Sequence, residues 1–177
     1  VYKRQVLKSY EIELKDVIFA YDSRPVLDGI TLKIPQNSTC AIVGSSGSGK
    51  TTLCNMIARF WDVNSGSVKI GGHDVKEFTC DSLLSYVSMV FQKVYLFNDT
   101  IENNIKFGKP NATHAEVVEA AKRARCHDFI EALPQGYETM IGEAGSTLSG
   151  GEKQRISIAR AILKDAPIVT VSYTHLT

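Results

Sequence analysis

The chain has 177 residues, of which 44% are apolar and 22% charged, and its formal net charge at pH 7 is +1. These values are typical of one globular domain, and they provide no positive field that would favour nucleic acid as a partner. No apolar run approaches the roughly 20 residues of a bilayer-spanning helix, and the four cysteines form no CxxC pair that would suggest a zinc site or a disulfide framework.

Several short segments carry the patterns of β-strands. Alternating apolar residues, or apolar runs bounded by turn residues, predict strands over 11–19, 30–34, 39–43, 67–70, 86–91 and 168–171. The strand over 67–70 ends at a Gly-Gly pair and looks like half of a hairpin. The strand over 39–43 runs straight into a glycine-rich loop.

The first predicted helix follows this loop and begins after Lys50. Apolar residues recur there at i, i+3, i+4, i+7 and i+8, which is the spacing of one helix face pressed against a core. This face is predicted to contain Leu53, Met56, Ile57, Phe60 and Trp61. The order strand, loop, helix is therefore predicted around residue 44.

Two capping boxes, each a Ser or Thr followed three residues later by Glu, mark two further helix starts. Thr113 and Glu116 begin a helix that is predicted to continue to about Leu133, where a proline stops it. Ser149 and Glu152 begin another helix, which a later proline also ends.

The loop before the first helix matches a pattern that binds phosphate. Residues 44–51 read GxxxxGK followed by Thr, and glycines let such a backbone curl so that its N–H groups point at phosphate oxygens. Lys50 can reach the β- and γ-phosphates of a nucleotide, and the Thr51 hydroxyl can ligate Mg²⁺. The residues predicted to bind the nucleotide are Gly44, Ser45, Ser46, Gly47, Ser48, Gly49, Lys50, Thr51 and Thr52.

Two alternatives remain open for this loop. It could be a Ser/Gly-rich turn that happens to precede a lysine, although a predicted strand and helix stand on either side of it. A phosphate loop alone also leaves kinases, GTPases, helicases and transport ATPases open, because this fold carries many functions. A second motif is needed to choose among them.

A second glycine-containing helix start lies at Ser149. Residues 148–155 read Leu-Ser-Gly-Gly-Glu-Lys-Gln-Arg, and their N–H groups with the helix dipole form another candidate phosphate cradle. By itself this segment is equally well explained as a capped helix. Residues 148–154 resemble the LSGGEKQ motif that distinguishes ABC ATPases from other phosphate-loop proteins, and the resemblance to that family covers about 11–167.

Resemblance to the ABC ATPases implies an α/β fold of the P-loop NTPase (RecA-like) type. This fold has a parallel-sheet core, an N-terminal antiparallel β subdomain and a helical subdomain that carries the LSGGE motif. ATP and Mg²⁺ are the implied cofactors. The implied partners are ATP, a second nucleotide-binding domain in a head-to-tail dimer and a transmembrane domain, with no nucleic acid. The implied location is the cytoplasmic face of the cell membrane.

The resemblance also assigns roles to single residues. Tyr21 matches the aromatic that stacks on adenine, and Gln92 matches a glutamine that contacts the metal and acts in catalysis with Lys50. The segment 97–105 resembles the exporter branch, in which it faces the membrane domain, and Glu143 resembles part of a loop that senses the opposite membrane subunit. In plainer interpretations, Tyr21 is an ordinary aromatic at a strand end and Gln92 a polar residue leaving a strand.

In the implied dimer, each ATP lies between the phosphate loop of one subunit and three residues of the other. These three residues are Ser149, Gly150 and Gly151.

The family pattern breaks after residue 171. The family has Asp-Glu there, the Asp holding Mg²⁺ through water and the Glu polarising the attacking water, whereas this chain has Ser172 and Tyr173. Ser carries no charge to hold a metal, and Tyr, with a pKa of about 10, is a poor base. We therefore expect an incomplete sheet at the C-terminal end and no ATPase activity above background. A naturally degenerate site is the alternative to a junction sequence.

The sequence thus predicts a linker or junction over 1–10, an ABC ATP-binding domain over 11–171 and a junction tail over 172–177. In the intact parent, ATP hydrolysis is expected to drive export. A rival is a soluble ABC ATPase that acts on nucleic acid or ribosomes, but the near-neutral charge and the segment 97–105 disfavour it. A small-molecule kinase would leave the motif at 148–154 unexplained.

Overall fold

The structure is a computed structural model that describes residues 6–142 and 148–172. Its strands are β1 (Ile12–Ala20), β2 (Pro25–Ile34), β3 (Ser65–Ile70), β4 (His73–Asp74), β5 (Val87–Val90), β6 (Asp99–Thr100), β7 (Met140–Ile141) and β8 (Ile168–Val171). Its helices are α1 (Lys50–Ile57), α2 (Cys80–Tyr86), α3 (Ile101–Lys106), α4 (His114–Arg123), α5 (His127–Glu131) and α6 (Gly150–Lys164). None of the helices in these two ranges is both long enough and apolar enough to cross a membrane. The chain divides into two compact units, Val1–Val87 and Ser88–Thr177.

An antiparallel sheet with the strand order β2-β1-β3-β4 forms the frame of the first unit. The central strand β1 pairs on both sides, so that Ile12 lies opposite Ile34 of β2 and Ile70 of β3. The predicted hairpin is confirmed, since β3 pairs with β4 directly after the Gly-Gly turn. This sheet is the antiparallel β subdomain that the resemblance implies.

A β-bulge at Asp16 explains why the apolar residues of β1 first alternate and then bunch. Leu14 is buried before the bulge and Val17 after it, because the extra residue shifts the register and with it the face that points to the core. Asp16 has a φ of 48°, and its backbone N–H donates to the Thr31 hydroxyl at 3.0 Å. The neighbouring Gly66 has no room for a side chain, since a Cβ there would lie 2.4 Å from the Asp16 carbonyl oxygen.

The prediction of a strand over 39–43 is wrong. This segment has no regular secondary structure, and Ile42 and Val43 are 37% and 77% exposed. A short apolar run of this kind becomes a strand only when neighbouring strands pair with it and cover its faces. The sheet of the first unit is built from other segments instead. The start of β2 was also predicted too late, because the strand begins at Pro25.

Helix α1 ends earlier than predicted, because Arg59 adopts the left-handed conformation with a φ of 53°. The Phe60 N–H donates to the Asn55 carbonyl at 2.9 Å, and the Arg59 N–H donates to the Met56 carbonyl at 3.1 Å. These two bonds form a Schellman motif, which satisfies the last carbonyls of a helix and turns the chain away. The prediction that Phe60 and Trp61 lie on the buried helix face is therefore wrong, since both are exposed.

The same motif divides the helix that was predicted to run to about Leu133. Arg125 has a φ of 57°, the Cys126 N–H donates to the Ala121 carbonyl at 2.9 Å, and the Arg125 N–H donates to the Lys122 carbonyl at 3.0 Å. The chain therefore forms α4 and α5 as separate helices. The capping box that begins α4 is confirmed.

Helix α6 completes the core of the second unit. It packs against α3 and α4, and its side chains Ile156 and Ala159 are fully buried. Arg160 donates from Nε to the Asn104 carbonyl at 2.9 Å and from Nη2 to Asn104 Oδ1 at 3.3 Å. Its guanidinium also lies over the Phe107 ring, 5.4 Å from the ring centroid. One α6 side chain thus fixes both the end of α3 and an exposed aromatic ring.

Candidate functional site

The loop over 44–49 curls around the side chain of Lys50. The Lys50 ammonium donates to the Gly44 carbonyl at 2.9 Å and to the Ser45 carbonyl at 2.7 Å, and the Ser48 N–H closes a turn on the same Ser45 carbonyl at 3.2 Å. An ammonium has three N–H donors, which leaves it able to donate to a phosphate as well. These three hydrogen bonds hold the loop backbone close to the Lys50 ammonium.

Two glycines give this loop its shape. Gly47 and Gly49 have φ values of 80° and 86°, a left-handed conformation that side chains disfavour. A Cβ at Gly49 would lie 2.9 Å from the Val26 carbonyl oxygen, so this position excludes a side chain by space as well. A Cβ at Gly47 would meet nothing within 4 Å. The packing therefore requires a glycine at position 49, whereas the loop at Gly47 borders open space.

The start of α1 is open to an anion. Its N-cap is Gly49, which supplies no side-chain hydrogen bond, and no acidic residue occupies the first turn. The first N–H groups of a helix need partners and carry partial positive charge. Residues 44–48 are exposed and Lys50 is half-buried. The residues present therefore fit a polyphosphate group.

Tyr21 lies beside the same helix. Its hydroxyl is 3.3 Å from the Thr52 hydroxyl, and its ring is 51% exposed. Thr52 is buried, whereas Thr51 is exposed. The structure thus brings together an exposed aromatic ring, a helix start and the glycine-rich loop, the parts for which the resemblance implies adenine and phosphate contacts.

The predicted second cradle, at the start of α6, is exposed as well. Ser149 is the N-cap, its hydroxyl accepts from the Glu152 N–H at 3.3 Å, and Glu152 Oε2 accepts from the Ser149 N–H at 2.8 Å. The predicted capping box is confirmed. The hydrogen bonds from the hydroxyl and then the backbone of Ser149 lower the pKa of Glu152, so the carboxylate stays charged. A Cβ at Gly150 would meet nothing within 4 Å, and Gly151 is also exposed.

Gln92 is exposed shortly after the end of β5. Strand β5 pairs with β8, and the Ser172 N–H donates to the Val90 carbonyl at 2.9 Å just beyond β8. The position at which a carboxylate is expected therefore lies beside the strand end that leads to Gln92. Ser172 brings a hydroxyl to this place instead of a charge.

Some predicted functional residues lie outside the described part of the chain. Glu143 and most of its loop fall in the undescribed segment 143–147, and Tyr173 falls beyond residue 172. Within the described ranges, no group of three or more His, Cys, Asp or Glu side chains is placed to hold a metal ion.

One aromatic residue was missed as a part of this site. Trp61 was assigned to the core, but its ring centroid lies 5.5 Å from that of Tyr21 at an interplanar angle of 88°. The signal for its true position is the end of α1, which depends on a left-handed arginine rather than on the glycine that usually marks such an end.

Comparisons with known proteins agree with this geometry. Residues 27–171 match the family model described as ABC transporter. An ATP-dependent lipid A-core flippase of Syntrophus aciditrophicus (strain SB) is 52% identical over 161 residues, which cover 91% of this chain and 27% of the relative. A protein of Staphylococcus aureus (strain NCTC 8325), named for multidrug export and as an ATP-binding/permease protein, is 50% identical over 165 residues, 92% of this chain and 28% of the relative.

A solved structure gives the same result. The structure of a bacterial Atm1-family ABC exporter with ATP bound matches with a TM-score of 0.91 and 43% sequence identity, over 94% of this chain and 29% of that one. The chain therefore spans little more than a quarter of the length of the proteins that it matches.

Proposed function

The chain belongs to the ABC transporter family, and on this basis we propose that it is the ATP-binding domain of an exporter, whose intact parent hydrolyses ATP to drive transport. The observation that carries the proposal is the phosphate loop, which curls around the Lys50 ammonium at an uncapped helix start. The relatives are named for flipping or exporting, which favours export over an action on nucleic acid.

The nucleotide contacts are assigned residue by residue. Backbone N–H groups of the loop and of the α1 start hold the phosphates, and Lys50 neutralises part of their charge. The exposed Tyr21 ring stacks on adenine, with its hydroxyl fixed by Thr52. Bound Mg²⁺ would supply charge neutralisation between the phosphates, and the Thr51 hydroxyl and the Gln92 amide oxygen are the groups of this chain that would hold it.

The second cradle serves the ATP of a partner subunit. Ser149, Gly150 and Gly151 are exposed at the start of α6, and Gly150 has open space beside it. Gly150 itself has no side chain that would hinder the approach of a phosphate that another subunit already holds. We therefore infer a head-to-tail dimer of two such domains.

The remaining assignments concern the parent protein. The ATP-binding domain begins at about residue 11, which β1 supports by starting at Ile12. Its partner is a transmembrane domain, and the exposed ring of Phe97 lies on the segment 97–105 that is assigned to that contact. The complex is located at a membrane, with this domain on the cytoplasmic face.

The same site predicts that this chain binds ATP without hydrolysing it. Ser172 and Tyr173 stand where the family has two carboxylates, and neither side chain is a base for water at neutral pH. Gln92 and Lys50 can orient a phosphate or water, but they cannot accept the proton that hydrolysis releases.

Calorimetry of ATP binding to the 177-residue chain in the presence of Mg²⁺ tests this proposal. We expect Lys50→Ala to weaken ATP binding about 10-fold to 100-fold, because it removes a charge-assisted hydrogen bond. Phosphate release by the unaltered chain should stay at background.

Lys33→Ala is the matched control, since Lys33 lies in β2 outside the loop and forms an exposed ion pair with Glu11 at 3.0 Å. It should leave ATP binding unchanged. Equal ATP affinity in the Lys50 variant and the unaltered chain would refute the phosphate-loop assignment. If the unaltered chain hydrolysed ATP and Lys50→Ala abolished this activity, only the prediction of an inactive site would be contradicted.

A further inference from the structure

Three aromatic rings form a cluster next to the phosphate loop, and we define this aromatic cluster as Phe19, Tyr21 and Trp61. Tyr21 is its middle ring: the Phe19 centroid lies 4.8 Å away at an interplanar angle of 86°, and the Trp61 centroid 5.5 Å away at 88°. Both contacts are edge-to-face, the arrangement that aromatic pairs prefer. Two perpendicular neighbours thus restrict the rotation of the Tyr21 ring.

The two neighbours differ in their surroundings. Phe19 is 2% exposed and belongs to the core, so its position follows from the sheet. Trp61 is 53% exposed, is the only tryptophan of the chain and lies on no helix or strand. The Trp61 centroid also lies 6.3 Å from that of Phe19 at an interplanar angle of 47°, so the tryptophan borders the core while about half of it stays exposed.

The turn that carries Trp61 is stabilised by the side chain of Arg59. Arg59, at the Schellman end of α1, donates to the Asp62 carboxylate from Nε at 2.9 Å. Its Nη1 donates to the carbonyl oxygens of Val75 at 3.3 Å and Phe78 at 2.9 Å. This arginine side chain is mostly buried. The turn that carries Trp61 is thus built before any ligand arrives.

We propose that Trp61 is a positioning residue for nucleotide recognition, which holds the Tyr21 ring in the orientation that stacks on adenine. This inference rests on the proposed function of the phosphate loop. Three groups then fix Tyr21: Phe19 and Trp61 at its ring, and the Thr52 hydroxyl, 3.3 Å from the tyrosine hydroxyl. A ring that is already oriented loses less conformational freedom when the base binds.

Removal of the tryptophan ring should weaken the binding of the adenine base and leave the binding of the phosphates unchanged. We expect Trp61→Ala to weaken ATP binding about threefold to tenfold, which is the range for one aromatic pair. Binding of inorganic tripolyphosphate, which has no base, should not change. Trp61→Phe keeps an aromatic edge against Tyr21 and should retain most of the ATP affinity.

A double-mutant cycle separates positioning from direct contact. In the Tyr21→Ala background, Trp61→Ala should cause no further loss of ATP affinity, because no ring remains to be positioned. Additive losses would mean that Trp61 acts without Tyr21, and would overturn the inference. Equal weakening of ATP and tripolyphosphate by Trp61→Ala would reduce Trp61 to a structural role and overturn it as well.

The sole tryptophan also provides a direct signal. ATP should change the fluorescence of the unaltered chain, whereas tripolyphosphate should leave it nearly constant. Tyr95→Ala, which removes a similarly exposed aromatic ring from the second unit, is the control and should leave ATP affinity unchanged. If ATP binding requires Lys50 but is insensitive to Trp61→Ala, only this inference fails. If the unaltered chain binds neither ligand, the proposed function fails together with it.

Discussion

The starts of α1 and α6 are both glycine-rich and exposed, yet they are completed in different ways. At α1 the N-cap is Gly49, which supplies no side-chain hydrogen bond, and no acidic residue occupies the first turn. At α6 the Ser149 hydroxyl and the Glu152 carboxylate form a capping box. The first helix start therefore has no capping side chain at its N-cap and no negative charge in its first turn, whereas the second has the Glu152 carboxylate.

Because of this difference, we expect the two helix starts to bind phosphate with unequal affinities. A carboxylate in the first turn interacts with the positive end of the helix dipole and repels a further anion. The α1 start also has the Lys50 ammonium, which donates to two loop carbonyls. We expect the α1 start to bind ATP alone, and the α6 start to contact a phosphate only when another site has positioned it.

The largest effect should follow from a side chain at Gly49. Gly49→Ala places a Cβ 2.9 Å from the Val26 carbonyl oxygen in a residue whose φ is 86°. The loop must shift, so we expect ATP affinity to fall more than about 10-fold, together with a loss of stability of about 1–3 kcal/mol from the strained backbone. Calorimetry and thermal unfolding measure the two effects.

Gly29→Ala is the control for backbone strain alone. Gly29 has a φ of 66°, but a Cβ there would meet nothing within 4 Å, and the residue lies in β2 outside the loop. It should lower stability without weakening ATP binding. If both variants reduced ATP affinity equally, general destabilisation rather than loop geometry would explain the result.

A smaller effect is expected at the α6 start. Ser149→Ala removes the N-cap of α6, which should cost about 1 kcal/mol, or about 2–4 °C in midpoint temperature. ATP binding to the single chain should not change, because this start does not hold ATP alone. Thr113→Ala removes the equivalent cap of α4 and should cause a similar loss of stability. If Ser149→Ala weakened ATP binding and Thr113→Ala did not, the prediction that the α6 start does not bind ATP by itself would be contradicted.

The smallest effect concerns the pH dependence of the same cap. Because the folded-state pKa of Glu152 is lowered, chiefly by the Ser149 hydroxyl, its stabilisation is complete above the ordinary Glu value of 4.5 and is lost as the pH falls through the lower folded value. Glu152→Gln should therefore make the decrease in midpoint temperature between about pH 5 and about pH 3 smaller. Thermal unfolding at several pH values measures it.

Glu116 of the other capping box provides the comparison. Hydrogen bonds from Lys109 and then from Thr113 lower its pKa to about 2. Glu116→Gln should therefore remove a pH dependence that extends to lower pH than that of Glu152. An unchanged acid response in both variants would mean that neither carboxylate is held by its cap in solution.

Sequence patterns predicted the helix starts of the proposed site better than its other parts. The phosphate loop, the two capping boxes and the strands β1 and β8 depend on neighbouring residues, so local patterns reveal them. The short helices α2 and α3 were missed, because a helix of about two turns shows too few apolar repeats to be recognised.

Two helix ends were mispredicted for a common physical reason. Arg59 and Arg125 adopt left-handed conformations that glycine or asparagine usually takes, and tertiary contacts stabilise Arg59 there. Arginine is also common inside helices, so its presence at these two positions does not indicate a helix end. The position of Trp61 beside Tyr21, and thus one part of the proposed adenine site, could not be predicted for this reason.

The bonds of Arg160 have a consequence for biosynthesis. Its contacts join α6 to Asn104, 56 positions earlier in the chain. A ribosome delivers α3 and α4 well before this arginine, and their apolar faces have no α6 to cover them during that interval. The nascent second unit should therefore be most vulnerable to aggregation and to proteases until translation has passed this helix, and a chaperone that binds exposed apolar surface would act at that stage.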